Sequence, residues 1–558
     1  MKALKYITSY LLLCLVFFSC NEDKWLEEKP YDFYAPENSY ETSEQFNSAV
    51  ARLYELTNSY MIWSSYGGNY IYQYTSDIGY DCIATTHELN SYIDNIIPES
   101  SRVRDIWTRY YRIIFDANVI INRIEGETIT FNSEAERNAL KAEAMFFRAF
   151  AYRCLAHQFG GVPIVLDELS EPKRDFVRDT REAVYNQAIT DLTFAASNLP
   201  SVSDLKEDGR LTKAAANHLL AELYISVKDY DKAITAASSV IDDPNYELMK
   251  VRFGTRKDEP GDVYWDLFRR GNQNRNSGVN TESIWVAQYE YMVEGGGSGS
   301  DLARFLIPLY WQLKGDDGKN LFFGHSSKYG GRGIGWMAPS KYLLEDIWTD
   351  DPDDIRNSEY NIIRDIVADN PESAYYGQKI VVSGAIDNFS DPLKRWWSAI
   401  IAKAAPINNF PEEAIDDPET GATNGNAVRT FRDHYFMRLA ETYLLRAEAY
   451  LGKGESGKAA VDINVVRARA NATPVEESDV DIDYILDERA RELNYEEFRI
   501  ITLMRVGKLA ERVRTKNPMH NGQFASHGVE DYHNLWPIPQ SEIERNTEAV
   551  LEQNPGYN

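Results

Sequence analysis

The sequence predicts a mainly α-helical protein, in which helix pairs form one scaffold and a loop-rich lobe is inserted into it. Three observations predict this. Apolar residues recur at helical spacing toward both ends of the 558-residue chain. A spacing of small and aromatic residues repeats in three of those stretches. Between them, Met249 to Thr430 is rich in Gly, Asn, Asp, Trp and Tyr, with weak helical periodicity until "SKYLLEDIWTD". With 43% apolar residues the chain can bury a real core.

The chain opens on Lys2 and Lys5, followed by an apolar run from Ile7 to Phe18. That is about a dozen residues where a bilayer span needs roughly 20, so the run reads as the core of a signal peptide. Cys14 follows bulky Leu13, whereas Cys20 follows small Ser19. The leader resembles a bacterial lipoprotein signal, with residues 1–19 removed and Cys20 becoming the lipid-modified first residue. Phe17 departs from that pattern, which usually has Leu there. Asn21, Glu22 and Asp23 resemble the surface-export signal of Bacteroidetes lipoproteins. An ordinary secretory signal that happens to contain cysteines is the alternative. Residues 20–42 then read as a polar tether.

Residues 43–248 form the first helical part. A helix is expected over Ser43–Ser59, then a long loop over Ser76–Ser101. Arg102 to Ile124 is helical again, with Ile106, Tyr110, Ile113, Ile114, Ala117 and Ile121 on one stripe. In "TKAAANHLLAELYISVKDYDKAITAASSVIDDPNY", Ala221 stands three before Tyr224, and Ala233 follows nine residues on. "RLAETYLLRAEAYLGKGESGKAAVDINVVRARANA" repeats the spacing with Ala447, Tyr450 and Ala459. Both follow the tetratricopeptide pattern, where a small residue lets two helices approach and an aromatic fills their crossing. "FFRAFAYRCLAHQFGG" supplies a third first-helix through Ala149 and Tyr152, its partner expected at Thr180–Leu199. Such pairs bury their faces by stacking. Residues 431–558 hold the last pair and the C-terminal stretches. Residues 249–430 are the lobe, and loops on a rigid scaffold are where binding residues usually sit.

Charge and motifs exclude several classes. The formal charge is −27, from 59 basic and 86 acidic residues, which opposes nucleic-acid binding. No CxxC, HExxH or GxSxG occurs, and "GGGSGSD" lacks the Lys-Ser/Thr of a phosphate loop. "DDPDDIRNSEY" fails as an EF-hand, since Arg356 falls where Gly is needed; it reads as a solvated turn. Neither metal nor cofactor is expected. Cys82 and Cys154 could bridge, but their spacing does not ask for it. Glu488, Glu492 and Glu496 recur every four residues amid Arg489, Arg491 and Arg499, and read as helix-stabilising ion pairs rather than a glycosidase dyad.

Four stretches together resemble the SusD/RagB family of Bacteroidetes outer-membrane nutrient-binding lipoproteins. They are "AEAMFFRAFAYRCLAHQFGGVPIV", "RLAETYLLRAEAYLGKGESGKAAVDINVVRARA", "ILDERARELNYEEFRIITLMRVGKL" and "LWPIPQSEIERNTEAVLEQNPGY". Two positions depart: the family usually has Gly where Glu497 stands and Asp where Thr502 stands. The resemblance implies a cell-surface protein that binds oligosaccharide and caps a SusC-like TonB-dependent transporter, with no enzymatic activity. The alternatives are a peptide-binding RagB-like member and, distantly, a glycoside-active enzyme. A sugar site wants aromatic platforms and polar groups for hydroxyls. Family members draw these from the loop after the early helices, here His87, Asn90 and Tyr92, and from the lobe, here Tyr289, Tyr291, Arg332 and Trp336. Trp336 matches the position of a ligand-stacking tryptophan, or else packs against the helix that follows it. Trp396 and Trp397 are adjacent and cannot both face one side.

Overall fold

The computed structural model describes residues 39–63, 69–73, 76–83, 90–126, 129–386, 391, 393–517 and 528–557. The leader, Cys20, the tether up to residue 38 and His87 lie outside the described residues. In chain order the main elements are α1 (Ser43–Asn58), β1 (Gly79–Asp81), α2 (Ser101–Arg123), α3 (Glu134–Phe159), α4 (Arg181–Asn198), α5 (Lys213–Ser226) and α6 (Tyr230–Ile241). The lobe adds β2 (Ser283–Ala287), α7 (Leu302–Leu306) and β3 (Met337–Pro339). Then come β4 (His434–Arg438), α8 (Leu439–Gly452), α9 (Ser456–Arg469), α10 (Ile482–Leu493) and α11 (Arg499–Arg505). The molecule is mainly helical, as the sequence predicts, and every sheet among the described residues has two strands.

Local chemistry explains where the helices start. Thr42 caps α1 by accepting from the Gln45 amide, while the Gln45 side chain accepts from the Thr42 amide at 3.2 Å. Ser133 caps α3 through the Glu136 amide. On α2 the buried stripe includes Ile106, Tyr110, Ile113, Ile114 and Ala117. It then continues at Ile120, 1% exposed, rather than at the expected Ile121. α3 is buried without a break from Ala142 to Phe159, because α2 and α4 pack on it from either side. Its interior charges are paired across the layers: Arg148 donates twice to Asp191 of α4 at 2.8 Å, and Arg153 donates to Glu222 of α5 at 2.6 and 2.7 Å.

The small residues of the tetratricopeptide pattern meet where the helices close: Ala149, Ala221, Ala233, Ala447 and Ala459 are all 0% exposed. The aromatics divide. Tyr152 fills its crossing and is fully buried. Tyr224 and Tyr450 are half-buried at the edge, each under a lysine ammonium, Lys232 and Lys458. Cys82 and Cys154 are both buried and unbridged; burial pushes the Cys154 thiol up to about 11.

Two strand pairs fix the lobe to the scaffold, β1 with β3 and β2 with β4. β2 runs antiparallel to β4, with Val286 opposite Tyr435 and Ala287 opposite His434. Trp285 of β2 is 1% exposed. Its ring lies flat on Phe436, 4.0 Å away, and meets Phe146 and Phe150 of α3 edge-on. The lobe also buries a second apolar cluster of its own, including Tyr310, Phe322, Ile380, Trp397 and Ile400. Trp397 is in that cluster while Trp396 is 41% exposed, as an adjacent pair requires.

Buried ion pairs join the lobe to the C-terminal helices, and here two expectations are corrected. "DDPDDIRNSEY" is not a solvated turn. Asp354 and Arg356 are 1% exposed, and Arg356 donates to Asp354, Glu488 and Glu492. Asp351 accepts from Arg467 at 2.6 Å and from the Thr473 amide. The glutamates of α10 are likewise not mainly neighbours' partners along one helix. Glu488 does pair with Arg491, but also with Arg356 and Arg467; Glu492 pairs with Arg356, Arg438 and Arg469. Both are 0% exposed, and three guanidinium groups hold the Glu488 carboxyl down at about 2 despite its burial.

Candidate functional site

The site is built on α7. Its five residues, about 7.5 Å of helix, lie beside the segment that leads into β3. Ile334 donates its amide to the Arg304 carbonyl, Gly335 to Ile307 and Trp336 to Phe305, at 2.9 to 3.0 Å. This pairing sets Trp336 over Phe305, their rings 4.9 Å apart and 7° from parallel. Phe305 is 2% exposed and Trp336 half-buried, so the tryptophan is a supported platform rather than a mobile one. The following helix is N-capped by Ser340, which accepts from the Leu343 amide, and Trp336 also packs against the core cluster that holds Tyr342 and Leu343. β3 pairs with β1, which ties the platform to the scaffold.

At the other end of α7 the chain turns through Gly299, at φ +69°, against the Tyr289 ring and the Thr430 carbonyl. Tyr289 and Tyr291 are half-buried and both pack on Phe431, at 6.0 and 4.8 Å between ring centres. Neither is a core residue. Burial, with Tyr291 beside it, pushes the Tyr289 phenol up to about 12. The Tyr289 amide donates to Asp433 at 2.7 Å, and Asn274 donates to the same carboxyl at 2.6 Å. Burial nevertheless raises Asp433 to about 6. Tyr289, Phe431, Asn274 and Asp433 line a cleft of about 390 Å³ that also holds Arg270, Gln288 and Glu290.

Arg332 is half-buried, four residues before Trp336, with its amide on the Ala427 carbonyl. Tyr289 thus lies against the turn that leads into α7 and Trp336 against Phe305 within it, while Arg332 lies four residues before Trp336 in the same segment. The first loop is used differently. Asn90 is 1% exposed and spends its amide group on the backbone of Asp81, accepting at 3.0 Å and donating at 2.7 Å. Tyr92 is 0% exposed, edge-on to His533, its phenol raised by burial. The fold places both in the interior.

Sequence reasoning missed Phe305, Phe431 and Arg304. Nothing in "DLARFLIP" distinguishes a ring that supports a platform from any core residue. A separate apolar groove of about 360 Å³, lined by Trp107, Tyr111, Phe115 and Phe176, runs along α2 and contains none of the predicted ligand residues.

Comparison with known proteins agrees with the architecture. A family model described as "SusD family" matches residues 408–557, and one described as "Starch-binding associating with outer membrane" matches residues 24–225. The SusD-like protein P25 of Formosa agariphila is 26% identical over 575 residues, covering 99% of each chain. A SusD homolog from Bacteroides thetaiotaomicron shares the fold at a TM-score of 0.70, with 19% identity over 93% of this chain and 98% of that one. The surface glycan-binding protein A of Bacteroides thetaiotaomicron, solved with laminarihexaose, aligns at a TM-score of 0.66. It is 20% identical, over 92% of this chain and 99% of its own. Matched from the region before α1 to its C-terminal stretch, the chain belongs to the SusD/RagB family.

Proposed function

We propose that the protein binds an oligosaccharide at the outer surface of the outer membrane and passes it to a SusC-like TonB-dependent transporter. A lipid on Cys20 holds it to the membrane, and Asn21, Glu22 and Asp23 direct it outward. The observation that carries the reading is the Trp336 platform, stacked on buried Phe305 and joined through α7 to Tyr289 and Tyr291. A flat, supported ring with polar side chains beside it suits the apolar face and hydroxyl rim of a sugar. Relatives described by glycan binding on the same fold support this, as does a family model described by outer-membrane association. The binding role needs no catalytic pair, and Glu488 and Glu492 are already committed to buried arginines.

Titration calorimetry against a glycan panel that includes laminarihexaose tests the reading. Trp336→Ala should weaken binding about tenfold or more, ~1.4 kcal/mol. Peptide binding with no saccharide binding would sink it. Intact-mass analysis of the membrane form should show a lipid-modified Cys20, and co-purification should bring down a large β-barrel transporter.

A further inference from the structure

We infer that the saccharide bound here is anionic, carrying uronate carboxylates or sulfate esters. The inference rests on the glycan-binding reading above and narrows its ligand class. Among the described residues, the guanidinium groups of only four arginines have neither a hydrogen bond nor an ion pair: Arg174, Arg270, Arg304 and Arg332. Three of the four lie on the lobe, beside its aromatic residues. Elsewhere the chain is short of cations, with 59 basic against 86 acidic residues, and interior Arg356 and Arg438 are each shared among three carboxylates.

The three positions follow the aromatic tract. Arg304 directly precedes Phe305 under the Trp336 ring, and its Nε is buried without a hydrogen-bond partner. Arg332 stands four residues before Trp336. Arg270 lines the Tyr289 cleft and a second cleft of about 400 Å³ that shares it with Arg256 and Phe410. The acids nearby are largely occupied. Asp301 faces Arg429 at 3.3 Å, and Asp433 is bonded to Tyr289 and Asn274. Only Glu290 stands exposed on the lining of the Tyr289 cleft. A guanidinium is planar, permanently charged and matched to bidentate pairing with a carboxylate or an oxyanion ester. Half-buried, Arg304 and Arg332 have no hydrogen bond or ion pair of the kind that satisfies the arginines around Glu488 and Glu492, and the carboxylate whose charge reaches Arg304, Asp301, is shared with Arg429. An anionic sugar stacked on Trp336 supplies a counter-charge. A neutral glucan would leave both groups partly desolvated and unpaired. The net charge of −27 repels a polyanion at long range, so recognition of one requires a local positive tract of this kind.

The test is calorimetry on the full-length protein in detergent. The probes are oligogalacturonate for carboxylates and dextran sulfate for sulfate esters, with laminarin and dextran as neutral counterparts and poly-glutamate as an acidic peptide. At least one anionic probe should bind tenfold or more tightly than its neutral counterpart, and weaken as salt rises. Which of the two does so separates uronate from sulfate ester. Arg332→Gln and Arg304→Gln should each cut the anionic-to-neutral affinity ratio about tenfold, whereas Arg174→Gln, away from the lobe, should leave it unchanged. Laminarin binding with no anionic preference would overturn the inference and keep the glycan reading. Poly-glutamate binding alone, or no saccharide binding, would overturn both.

Discussion

At the scale of single residues, the two departures from the family pattern turn out to touch. Thr502 donates its hydroxyl to Glu497 at 3.0 Å, and the same carboxyl oxygen takes two bonds from Arg489 at 2.8 and 2.6 Å. Its other oxygen accepts from Arg499. An Asp at 502 with Gly at 497, the pattern of the family that the sequence resembles, would set its carboxylate beside the Glu497 position and so within reach of the same Arg489. Glu497→Gly alone should therefore destabilise strongly, by about 3–5 kcal/mol, the cost of unbalancing a buried ion pair. Thr502→Asp alone should destabilise by crowding two carboxylates. Together the changes should recover most of the loss, measured as the urea midpoint in a double-mutant cycle. Additive losses would show that the sites are not exchanging one charge. The same lesson explains Asn90 and Tyr92. A polar residue beside a loop reads the same in sequence whether it serves a sugar or, like Asn90, its own backbone. Trp336 was named from its place in the motif; the ring it stacks on, Phe305, lies 31 residues away in the chain and could not be read from that motif.

At the scale of elements, the helices were legible and the lobe was not, for one physical reason. Helix periodicity is local, so α2 and α4 could be read within a residue of their ends, and the α8–α9 pair from its Ala447, Tyr450 and Ala459 spacing. β2 finds β4 some 150 residues later, and Arg356 finds Glu488 at a separation of 132; no local pattern encodes either. The exit from α3 shows how a short motif fixes an element boundary. Gly160 ends the helix at φ +77°, and a Cβ on Gly161 would lie 2.2 Å from the Asp179 carbonyl oxygen. That close approach lets Asp179 donate to Val162 at 3.2 Å and its side chain accept from Ile164 at 2.9 Å. Gly161→Ala should cost about 1–3 kcal/mol, because the obstacle is backbone and cannot rotate away. Gly425→Ala, with nothing within 4 Å, is the matched control and should change the denaturation midpoint little. Equal midpoints for the two variants would show that the strand-like segment after α3 yields easily.

At the scale of the whole molecule, stability should fall as pH drops from 7, well before the carboxylates titrate. Three buried histidines are held neutral by desolvation: His157 at about 3, His533 at about 4 and His434 well below its ordinary 6.5. His157 has Tyr185 on Nδ1 at 2.9 Å and Glu222 on Nε2 at 2.7 Å, so the neutral ring donates to Glu222 and accepts from the phenol. In each case the folded value is depressed, so the unfolded chain takes up the proton first. The stability these groups contribute is complete above about 6.5 and is lost as pH falls through 4 and 3. Asp433, raised to about 6, works in the opposite sense, since its cost disappears as pH falls through 6. Asp116, Glu143, Asp191, Asp301, Asp369 and Asp462 are also raised, chiefly by burial, and act with Asp433, so the loss set by the histidines should be clearest between about pH 7 and 6, at about 1.4 kcal/mol per pH unit for each proton, and should flatten below that. Below about 4.5 a second decline should set in. There Asp77, Glu441 and Glu488, each held down near 2 in the fold, would be protonated in the unfolded chain and not in the native one. Urea midpoints measured from pH 8 to pH 3 should therefore trace a plateau and two successive descents. A profile that stays flat or rises between pH 7 and 6 would mean that the native protein admits protons to these histidines, and that water reaches the interior of the α3–α5 layers.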